Sequence, residues 1–501
     1  MERRIRWLGV VMALCFVALF VQLNNIQIVK AHALSTSLKN PRVIAVSRND
    51  PRGDILSADG VVLASSIPAK SGFYKFERTY NPYTATLFSQ IVGFDSIYYG
   101  KTGIEAEYDS YLRSHTQPAT SLRDLLRSRT TTGNVTLTIS TSLQSQAAAA
   151  VEATNVNNSA PEAAAVVVNV KTGAVEAMYG MPNFNPNPLA SSDLKIEQAY
   201  HATLNYKSGL SPLVSRVFQR GQLPGSTFKA VTSAAVYDHD PALAKLDIPA
   251  IQCISLPQSD KQLCNYKGTN AAPESCGGVM TVTLPASCDT AFATLGMDLK
   301  GPALTAEAEA FGFNQVPPID VLGANASQFP AGPIIDNTPS RQAYSAFGQQ
   351  DVIATPLQMA LVAAGIANRG VIMTPHVMRD VHDSSGNLLT TYTPKPWITA
   401  TNPLTAAAVT SLMQSVVTNG TATQVGFPSS WNVAAKTGTA ETVGAFGQPL
   451  TNDWMIAFAP ANDPKVAVAV VVPNQVPTST GAEYAGPPMK TILGDALAAT
   501  P

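Results

Sequence analysis

The sequence has little charge and no bias in its sign. Only 13% of its 501 residues are charged, and 33 basic residues stand against 34 acidic ones, which gives a net charge of -1. No basic surplus therefore attracts the chain to nucleic acid, and we expect no nucleic-acid partner. Because 45% of the residues are hydrophobic, a chain of this length can form two or three domains with buried cores.

The sequence also lacks metal-binding patterns. Its six histidines are scattered without the spacing of metal ligands, and none lies among the cysteines of the second half of the chain. We therefore expect no metal site. An internal repeat is lacking as well.

The N-terminus has the pattern of a membrane anchor. Three arginines within the first six residues precede an apolar run over 7–23 that is broken only by Gln22. At about 1.5 Å per residue this run gives roughly 25 Å of helix, close to the hydrocarbon thickness of a bilayer. Basic residues ahead of a span keep that end in the cytoplasm. We therefore expect a cytoplasmic tail at 1–6, a single-pass anchor at 7–24 and an extracytoplasmic remainder.

A cleaved signal peptide is the alternative for this segment. Residues Ala31-His32-Ala33 resemble a cleavage site. However, the apolar run is long for a signal peptide, and Lys30 separates the run from the site. The uncleaved anchor is the preferred interpretation.

The cysteines fit an oxidising compartment. Cys15 lies in the anchor, which leaves Cys253, Cys264, Cys276 and Cys288 outside the membrane. Four cysteines can pair in three ways, and sequence alone does not choose among them. We expect one disulfide, with free buried thiols as the alternative.

Turn signals and apolar stretches divide the remaining chain in two. Residues 25–155 mix short apolar stretches with turn-forming segments, which predicts a strand-containing stalk domain. A strand over 135–139 and an alanine-rich helix over 142–153 are predicted near its end. The second domain is placed at 156–501.

Two hairpins are predicted at opposite ends of this second domain. The first joins strands at 164–170 and 174–178, and the second joins strands at 454–460 and 466–472. Strands from both chain ends can form one sheet, with the intervening helices packed around it. The predicted helices cover 226–237, 288–299, 356–367 and 403–417. The fold class is therefore α+β.

The segment Pro224-Gly225-Ser226 contains the main candidate for catalysis, because a Pro-Gly turn leads into a helix whose first turn holds Ser226. Lys229 lies one turn further on the same helix face. Serine is a weak nucleophile until a base takes its proton. Lysine can be that base only when it is neutral, which requires burial and a nearby positive charge. A second lysine is therefore expected close by.

Neither short motif is specific by itself. Ser192 and Lys195 have the same spacing as Ser226 and Lys229, and Lys-Thr-Gly occurs three times in the chain, beginning at residues 101, 171 and 436. The first two copies lie in turn contexts. The third follows an apolar segment and continues into Thr439, so it is predicted to lie on a strand beside a groove. Context therefore selects Lys436 as the second lysine.

The order of these motifs resembles a known superfamily. Ser-x-x-Lys, then Ser287-Cys288-Asp289 in place of Ser-x-Asn, then Lys-Thr-Gly resembles the penicillin-binding proteins and serine β-lactamases. Residues 52–55, 103–105 and 347–349 resemble the class B penicillin-binding proteins in particular. The resemblance covers nearly the whole chain after the anchor and implies a central antiparallel sheet flanked by helices. It is closest to the short actinobacterial type, which lacks added C-terminal modules.

The resemblance also implies roles for individual residues. Ser226 would be the acylated nucleophile, Lys229 its base, and Lys436 the second positive charge. Ser287 would pass protons between the lysines and the leaving amine. The N–H groups of Ser226 and Thr439 would form an oxyanion hole, and the strand residues after Lys436 would bind the terminal carboxylate of the substrate. These strand residues are Thr437, Gly438 and Thr439.

Asp289 departs from the family pattern, which usually has asparagine at this position. An ionised carboxylate cannot donate a hydrogen bond to a substrate carbonyl, so the substrate-binding role of this position is in doubt. Asp289 could instead pair with Lys229 and favour its charged form, which would weaken the base. Asp289→Asn is therefore expected to keep or raise acylation by a β-lactam. Arg52 and Glu105 are expected to have structural roles in the stalk.

The resemblance implies a peptidoglycan D,D-transpeptidase that needs no cofactor and binds stem peptides and β-lactams. Glycan polymerisation would fall to a multipass glycosyltransferase of the shape, elongation and division family. The alternatives are a β-lactam sensor or scaffold, a D,D-carboxypeptidase, or a β-lactamase. Sensors usually have several spans, whereas one is found here, and the large stalk disfavours the hydrolytic enzymes.

Overall fold

The computed structural model describes residues 2–30, 49–69, 74–116, 130–155, 161–204, 210–260, 262–266, 272–444 and 446–500. Helix α1, Glu2–Asn24, continues into a π-helical turn at Asn25–Val29. The segment Arg6–Gln27 is long and apolar enough to cross a membrane, and none of it is buried within the protein. This helix agrees with the anchor predicted at 7–24.

The strands fall into two main sheets and several short pairs. The first eight are β1 Ile55–Leu56, β2 Val62–Pro68, β3 Phe76–Tyr80, β4 Asp95–Ser96, β5 Gly100–Lys101, β6 His115–Thr116, β7 Thr130–Thr131 and β8 Gly133–Leu137. The next seven are β9 Ala163–Asn169, β10 Val175–Met181, β11 Ile248–Ile251, β12 Cys253–Ser255, β13 Gln262–Cys264, β14 Cys276–Gly278 and β15 Val371–Met373. The last six are β16 Met378–Asp383, β17 Leu388–Thr391, β18 Pro396–Thr399, β19 Ala434–Val443, β20 Pro449–Ala459 and β21 Val466–Gln475.

The helices beyond the anchor lie mostly between these strands. Those of the first part are α2 Ser89–Val92, α3 Gly103–Glu107, α4 Asp109–Leu112, α5 Thr141–Glu152 and α6 Leu194–Leu204. The middle part contains α7 Lys229–His239, α8 Met280–Ala286, α9 Asp289–Leu299, α10 Gly301–Ala310, α11 Gly332–Asp336, α12 Pro339–Ser345 and α13 Pro356–Ala367. The last are α14 Pro403–Asn419, α15 Gly481–Tyr484 and α16 Gly486–Ala499. Short 3₁₀ turns lie at Asn187–Ala190, Gly225–Phe228, Leu243–Lys245, Thr423–Val425 and Ser429–Trp431.

The stalk sheet has six strands in the order β17-β16-β8-β1-β2-β3. Strands β1 and β8 are parallel, and the other neighbours are antiparallel. Strands β16 and β17 come from a hairpin within 378–391, far along the chain from the other four. A later segment therefore completes the sheet of the stalk.

A buried ion cluster holds the stalk together. Arg52 Nε lies 2.6 Å from Glu105 Oε2, and Arg78 Nε lies 2.6 Å from Glu105 Oε1. Glu105 is fully buried, and Arg52 also contacts Asp109 at 2.6 Å. A buried carboxylate needs such paired donors, because an unpaired buried charge is strongly destabilising. This position agrees with the structural roles expected for Arg52 and Glu105.

The second main sheet has five strands in the order β10-β9-β21-β20-β19, all antiparallel. Both hairpins predicted from the sequence are present, and they come together through the pairing of β9 with β21. Strand β21 is buried at successive positions, so helices cover both faces of the sheet. Strand β19 forms one edge, and this edge carries Lys436. The predicted α+β class is therefore confirmed.

Candidate active site

Ser226 lies where a tight turn enters helix α7. Residues Gly225–Phe228 form a 3₁₀ turn, and the α-helix begins only at Lys229. Gly225 has φ +54°, and its N–H donates to the carbonyl of Gly348 at 2.9 Å. Gly348 also needs to be glycine, because a Cβ atom there would lie 2.3 Å from the carbonyl oxygen of Gly225. This backbone contact fixes Ser226 at the floor of a groove.

Lys229 is fully buried behind the nucleophile and has acceptors on two sides. Its Nζ donates to the Ser287 carbonyl at 2.7 Å and to Asp289 Oδ1 at 2.6 Å. Burial lowers the pKa of Lys229 below its usual value, and the charge of Asp289 and its hydrogen bond offset only part of that decrease. The pairing of Asp289 with Lys229 that the sequence suggested is therefore present.

Asp289 also contacts the nucleophile. Its Oδ1 atom lies 3.5 Å from Ser226 Oγ and accepts a hydrogen bond from it. One carboxylate oxygen thus lies between the hydroxyl and the amine of Lys229. The asparagine that is usual in the family would place a neutral amide here. Aspartate at this position therefore adds a negative charge next to Ser226 Oγ.

Lys436 reaches the same cluster from strand β19. Its Nζ donates to Ser287 Oγ at 2.8 Å and to the Thr437 carbonyl at 2.9 Å. Burial lowers the pKa of Lys436 well below its usual value, the nearby Lys229 lowers it further, and Asp289 opposes this. Lys229 has an ion-pair partner and Lys436 has neutral acceptors. The lysine favoured as neutral in the free protein is therefore Lys436, not Lys229.

Ser287 joins the two lysines. Its hydroxyl lies 2.8 Å from Lys436 Nζ and 3.4 Å from Lys229 Nζ. Ser287 ends helix α8 in the left-handed conformation, with φ +61°. Such a conformation is unfavourable for serine, so the surrounding structure must hold it.

The segment around Ser287 is fixed by a disulfide and a helix cap. Cys288 lies between Ser287 and Asp289 and is bonded to Cys276. The Asn265 side chain accepts from the N–H of Thr290 at 3.0 Å, in the first turn of α9. A second disulfide joins Cys253 to Cys264. The expectation of one disulfide was therefore wrong, because the pairing of β12 with β13 places Cys253 opposite Cys264, and the start of α9 places Cys288 against Cys276 of β14.

Thr437, Gly438 and Thr439 line the groove on the opposite side. Thr437 Oγ1 lies 2.5 Å from Thr421 Oγ1, and Thr439 Oγ1 accepts from the N–H of Gly481 at 3.1 Å. A Cβ atom at Gly438 would lie 2.8 Å from the carbonyl oxygen of Pro224, so glycine permits the strand to pass close to the nucleophile turn.

The structure brings all eight predicted site residues to one groove of about 470 Å³ or to its rear wall. The other copies of the motifs lie elsewhere. Lys101 pairs with Asp109 in the stalk at 3.1 Å, and Ser192 donates to Glu77 at 2.5 Å. Three further residues contact the site but were not predicted, because each is a single residue outside any recognisable motif. They are Asn265, Thr421 and Gly481. Within the described ranges, no three His, Cys, Asp or Glu side chains converge as metal ligands.

Comparison with protein families gives two matches along the chain. Residues 163–494 match the penicillin binding protein transpeptidase domain. Residues 52–135 match the penicillin binding protein A dimerisation domain. The transpeptidase match alone covers more than half of the chain.

Individual relatives agree with these families. The chain is 32% identical to the peptidoglycan D,D-transpeptidase PbpA of Mycolicibacterium smegmatis, over 99% of both chains. It is also 32% identical to PbpA of Mycobacterium tuberculosis over 100% of both. The solved ceftriaxone acyl-enzyme complex of M. tuberculosis penicillin-binding protein A superposes with a TM-score of 0.78 at 30% identity, covering 90% of this chain and 100% of that one.

Proposed function

The chain belongs to the penicillin-binding proteins with a transpeptidase domain, and we propose that it cross-links peptidoglycan stem peptides through an acyl-enzyme on Ser226. It is a serine-type D,D-transpeptidase that also binds β-lactams covalently. One observation supports the assignment of the site most directly. Ser226 is the hydroxyl at the groove floor that contacts the cluster of Lys229, Ser287, Asp289 and Lys436, in which both lysines are fully buried.

Acylation needs a neutral amine beside Ser226. In the free protein Lys229 is paired with Asp289, so its extra proton must move before it can act as a base. Ser287 offers a route, because its hydroxyl lies 3.4 Å from Lys229 Nζ and 2.8 Å from Lys436 Nζ. Transfer of one proton through Ser287 leaves Lys229 neutral and Lys436 charged. One of the two lysines is therefore positively charged before and after the transfer, and this charge stabilises the developing oxyanion.

The bond changes follow from this arrangement. Ser226 Oγ attacks the carbonyl carbon of the penultimate D-Ala, and its proton passes to Lys229. The N–H groups of Ser226 and Thr439 stabilise the oxyanion, each contributing roughly 3 kcal/mol. The C–N bond then breaks, and the leaving D-Ala amine receives a proton through Ser287. An acceptor amine then attacks the carbonyl carbon of the ester and forms a new amide bond. The ester bond to Ser226 breaks, and Ser226 Oγ recovers a proton from the attacking amine through the same groups.

The remaining groove residues bind the donor. Thr437 and Thr439 present hydroxyls to the terminal carboxylate, and Gly438 permits close approach of the strand. Asp289 also lines the groove. When ionised it cannot donate a hydrogen bond to the donor carbonyl, which must therefore bind beside a negative charge.

We also propose the organisation of the whole chain. It has a cytoplasmic tail at 1–6, an anchor at 7–24, a stalk domain at 25–155 and a transpeptidase domain at 156–501, whose hairpin within 378–391 completes the stalk sheet. Three N-terminal arginines and the two disulfides of the catalytic part support an extracytoplasmic position for that part. A glycosyltransferase of the shape, elongation and division family would supply the glycan strands and contact the anchor and stalk.

A direct assay tests this function. Purified protein is incubated with a stem peptide ending in D-Ala-D-Ala and with an amine acceptor, and the products are separated by mass spectrometry. Cross-linked peptide is the expected product, and Ser226→Ala should form none. Hydrolysed peptide alone would indicate a D,D-carboxypeptidase, and an unchanged peptide would indicate a sensor or scaffold. Either of these two results would overturn the proposal.

A further inference from the structure

Asp453 is a buried acid next to the groove that the mechanism does not use. It lies on β20 directly opposite Thr439 of β19 in the antiparallel register. Its side chain is fully buried, and among the described residues neither carboxyl oxygen makes a hydrogen bond of normal geometry, although the Ser479 hydroxyl lies close enough to interact with it. An ionised carboxylate in such a position is strongly disfavoured.

The carboxyl group lies on the face of the sheet that carries the side chains of Thr437 and Thr439. Directly opposite residues of an antiparallel pair project to the same face, with Cβ atoms about 5 Å apart, so Asp453 shares the face of Thr439. Thr437 is on that face too, because side chains alternate along a strand. The segment around Gly481 covers this face, since the N–H of Gly481 donates to Thr439 Oγ1 at 3.1 Å.

The charged groups facing Asp453 are all acidic or phenolic. Glu483 comes from α15, Glu441 lies two residues beyond Thr439 on β19, and Tyr266 donates to the Ser479 carbonyl at 2.5 Å. Burial raises the pKa of Asp453 to about 7, Glu483 adds to the rise, and the neighbouring Ser479 hydroxyl opposes it. Asp453, Glu441 and Glu483 together with burial raise the pKa of Tyr266 to about 12.

Within the described part of the chain, no cation is among the groups that shift the pKa of Asp453. Helix α13, strand β21 and the 3₁₀ turn at Gly225–Phe228 pack against β20 and carry no charged side chain. Helix α16 carries Lys490, whose Nζ lies toward Gly426, and Asp495. Lys436 projects to the other face of β19, where it reaches Ser287.

We propose that Asp453 is a specificity-determining residue whose carboxyl group must be uncharged for the groove to bind a ligand with a terminal carboxylate. The inference rests on the proposed function, because Thr437 and Thr439 are taken to hold that carboxylate. A carboxylate on Thr439 would lie within roughly 8 Å of an ionised Asp453, across poorly hydrated protein, and would be repelled. Affinity for such ligands therefore falls as the pH rises through neutrality.

Saturation kinetics of penicillin acylation test this inference, because they separate the binding constant from the acylation rate. For the unchanged protein, the dissociation constant of the initial complex should rise about tenfold between about pH 6 and about pH 8.5. Asp453→Asn is similar in shape and cannot ionise, so its constant should stay flat. The carboxyl methyl ester of the same penicillin, used as a competitor, should bind with no such pH dependence.

Control variants make the result specific. Glu441→Gln removes an exposed acid from the same face, and solvent should screen that charge enough to leave the pH dependence in place. Asp453→Ala is the second variant should Asp453→Asn fail to fold, and thermal melting checks both. A persistent tenfold rise in the Asp453 variants, or an equal rise for the methyl ester, would overturn the inference.

The assay also separates this inference from the proposed function. Penicillin acylation does not require an amine acceptor. If stem peptides gave no cross-linked product while penicillin showed the expected pattern, the function would fail and the role of Asp453 would stand. If cross-linking occurred and Asp453→Asn kept the pH dependence, the reverse would hold.

Discussion

Lys229 Nζ lies 2.6 Å from Asp289 Oδ1 in an ion pair whose lysine is fully buried and whose carboxylate is partly exposed, and this same oxygen lies 3.5 Å from Ser226 Oγ. The pair stabilises the charged form of Lys229, which the proposed mechanism uses as a base. Family members with asparagine lack that opposing charge. The free protein is therefore held in a state that must give up this pairing before Ser226 can react.

The first prediction concerns Asp289→Asn. Removing the carboxylate removes the main contribution that raises the pKa of Lys229, while burial continues to lower it. Lys229 should then be neutral at lower pH, so the acidic limb of the acylation profile should move down by about one pH unit. At neutral pH the rate should stay the same or rise. Labelled penicillin uptake measured against pH checks both expectations.

Ser226→Ala provides the background for that experiment, because it should take up no label. The outcome that contradicts the ion-pair argument is a near-complete loss of acylation in Asp289→Asn at every pH. Asp289 would then be required for the proton transfer from Ser226.

The second prediction concerns Ser287→Gly. Glycine adopts the left-handed conformation of this position without strain, so the fold should be at least as stable as before. Acylation should nevertheless fall by about 100-fold, because the hydroxyl between the two lysines is lost. Thermal melting and single-turnover acylation are the measurements. An unchanged acylation rate would exclude Ser287 as the proton carrier.

The third prediction compares the two disulfides. Cys276–Cys288 flanks Ser287 and Asp289 directly, whereas Cys253–Cys264 joins β12 and β13 outside the motif. Replacing both cysteines of the first pair by alanine should lower acylation about tenfold, because the motif loses a fixed position. Replacing both cysteines of the second pair should change acylation little. Equal losses would show that both disulfides act only through overall stability.

The fourth prediction concerns Glu307 on α10. Burial raises the pKa of Glu307 to about 8, and Asp238 adds to the rise. In the unfolded chain a glutamate ionises at its usual pKa of about 4.3. Between these values the folded state binds the additional proton, so stability falls as the pH rises through this window. Glu307→Gln should therefore raise the melting temperature by about 2 °C at pH 8.

The same variant should lose this advantage below about pH 4, where both states carry the proton. Melting curves across the pH range measure the difference between variant and parent. His239 Nε2 lies 3.4 Å from Glu307 Oε2. A lower melting temperature for the variant at pH 8 would mean that an ion pair with His239 outweighs the effect of burial.

Local patterns were sufficient for many elements of the fold. Both predicted hairpins of the central sheet and the helix at Pro356–Ala367 are present, since alternation, turn residues and a Thr355 cap are properties of neighbouring residues. The start of the Ser226 helix was less accurate. The chain forms a 3₁₀ turn first, because Gly225 must meet the Gly348 carbonyl from a distant segment.

Long-range pairings were the part that sequence reasoning could not supply. The hairpin β16–β17 joins the stalk sheet, the pairing of β12 with β13 brings Cys253 to Cys264, and the start of α9 brings Cys288 to Cys276 of β14. Thr421 and Asn265 support the site through single hydrogen bonds. Such contacts depend on where separate segments pack and leave no periodic trace in the chain.

The sequence by itself determined the chemistry available to this protein. The ordered motifs predicted a site made of Ser226, Lys229, Ser287 and Lys436, since a nucleophile, a base and a proton carrier each need a particular side chain. Only the tertiary structure decided the charge state of that machinery. Burial and the position of Asp289 relative to two lysines set their pKa values, and those distances exist only once α7, α9 and β19 have packed together.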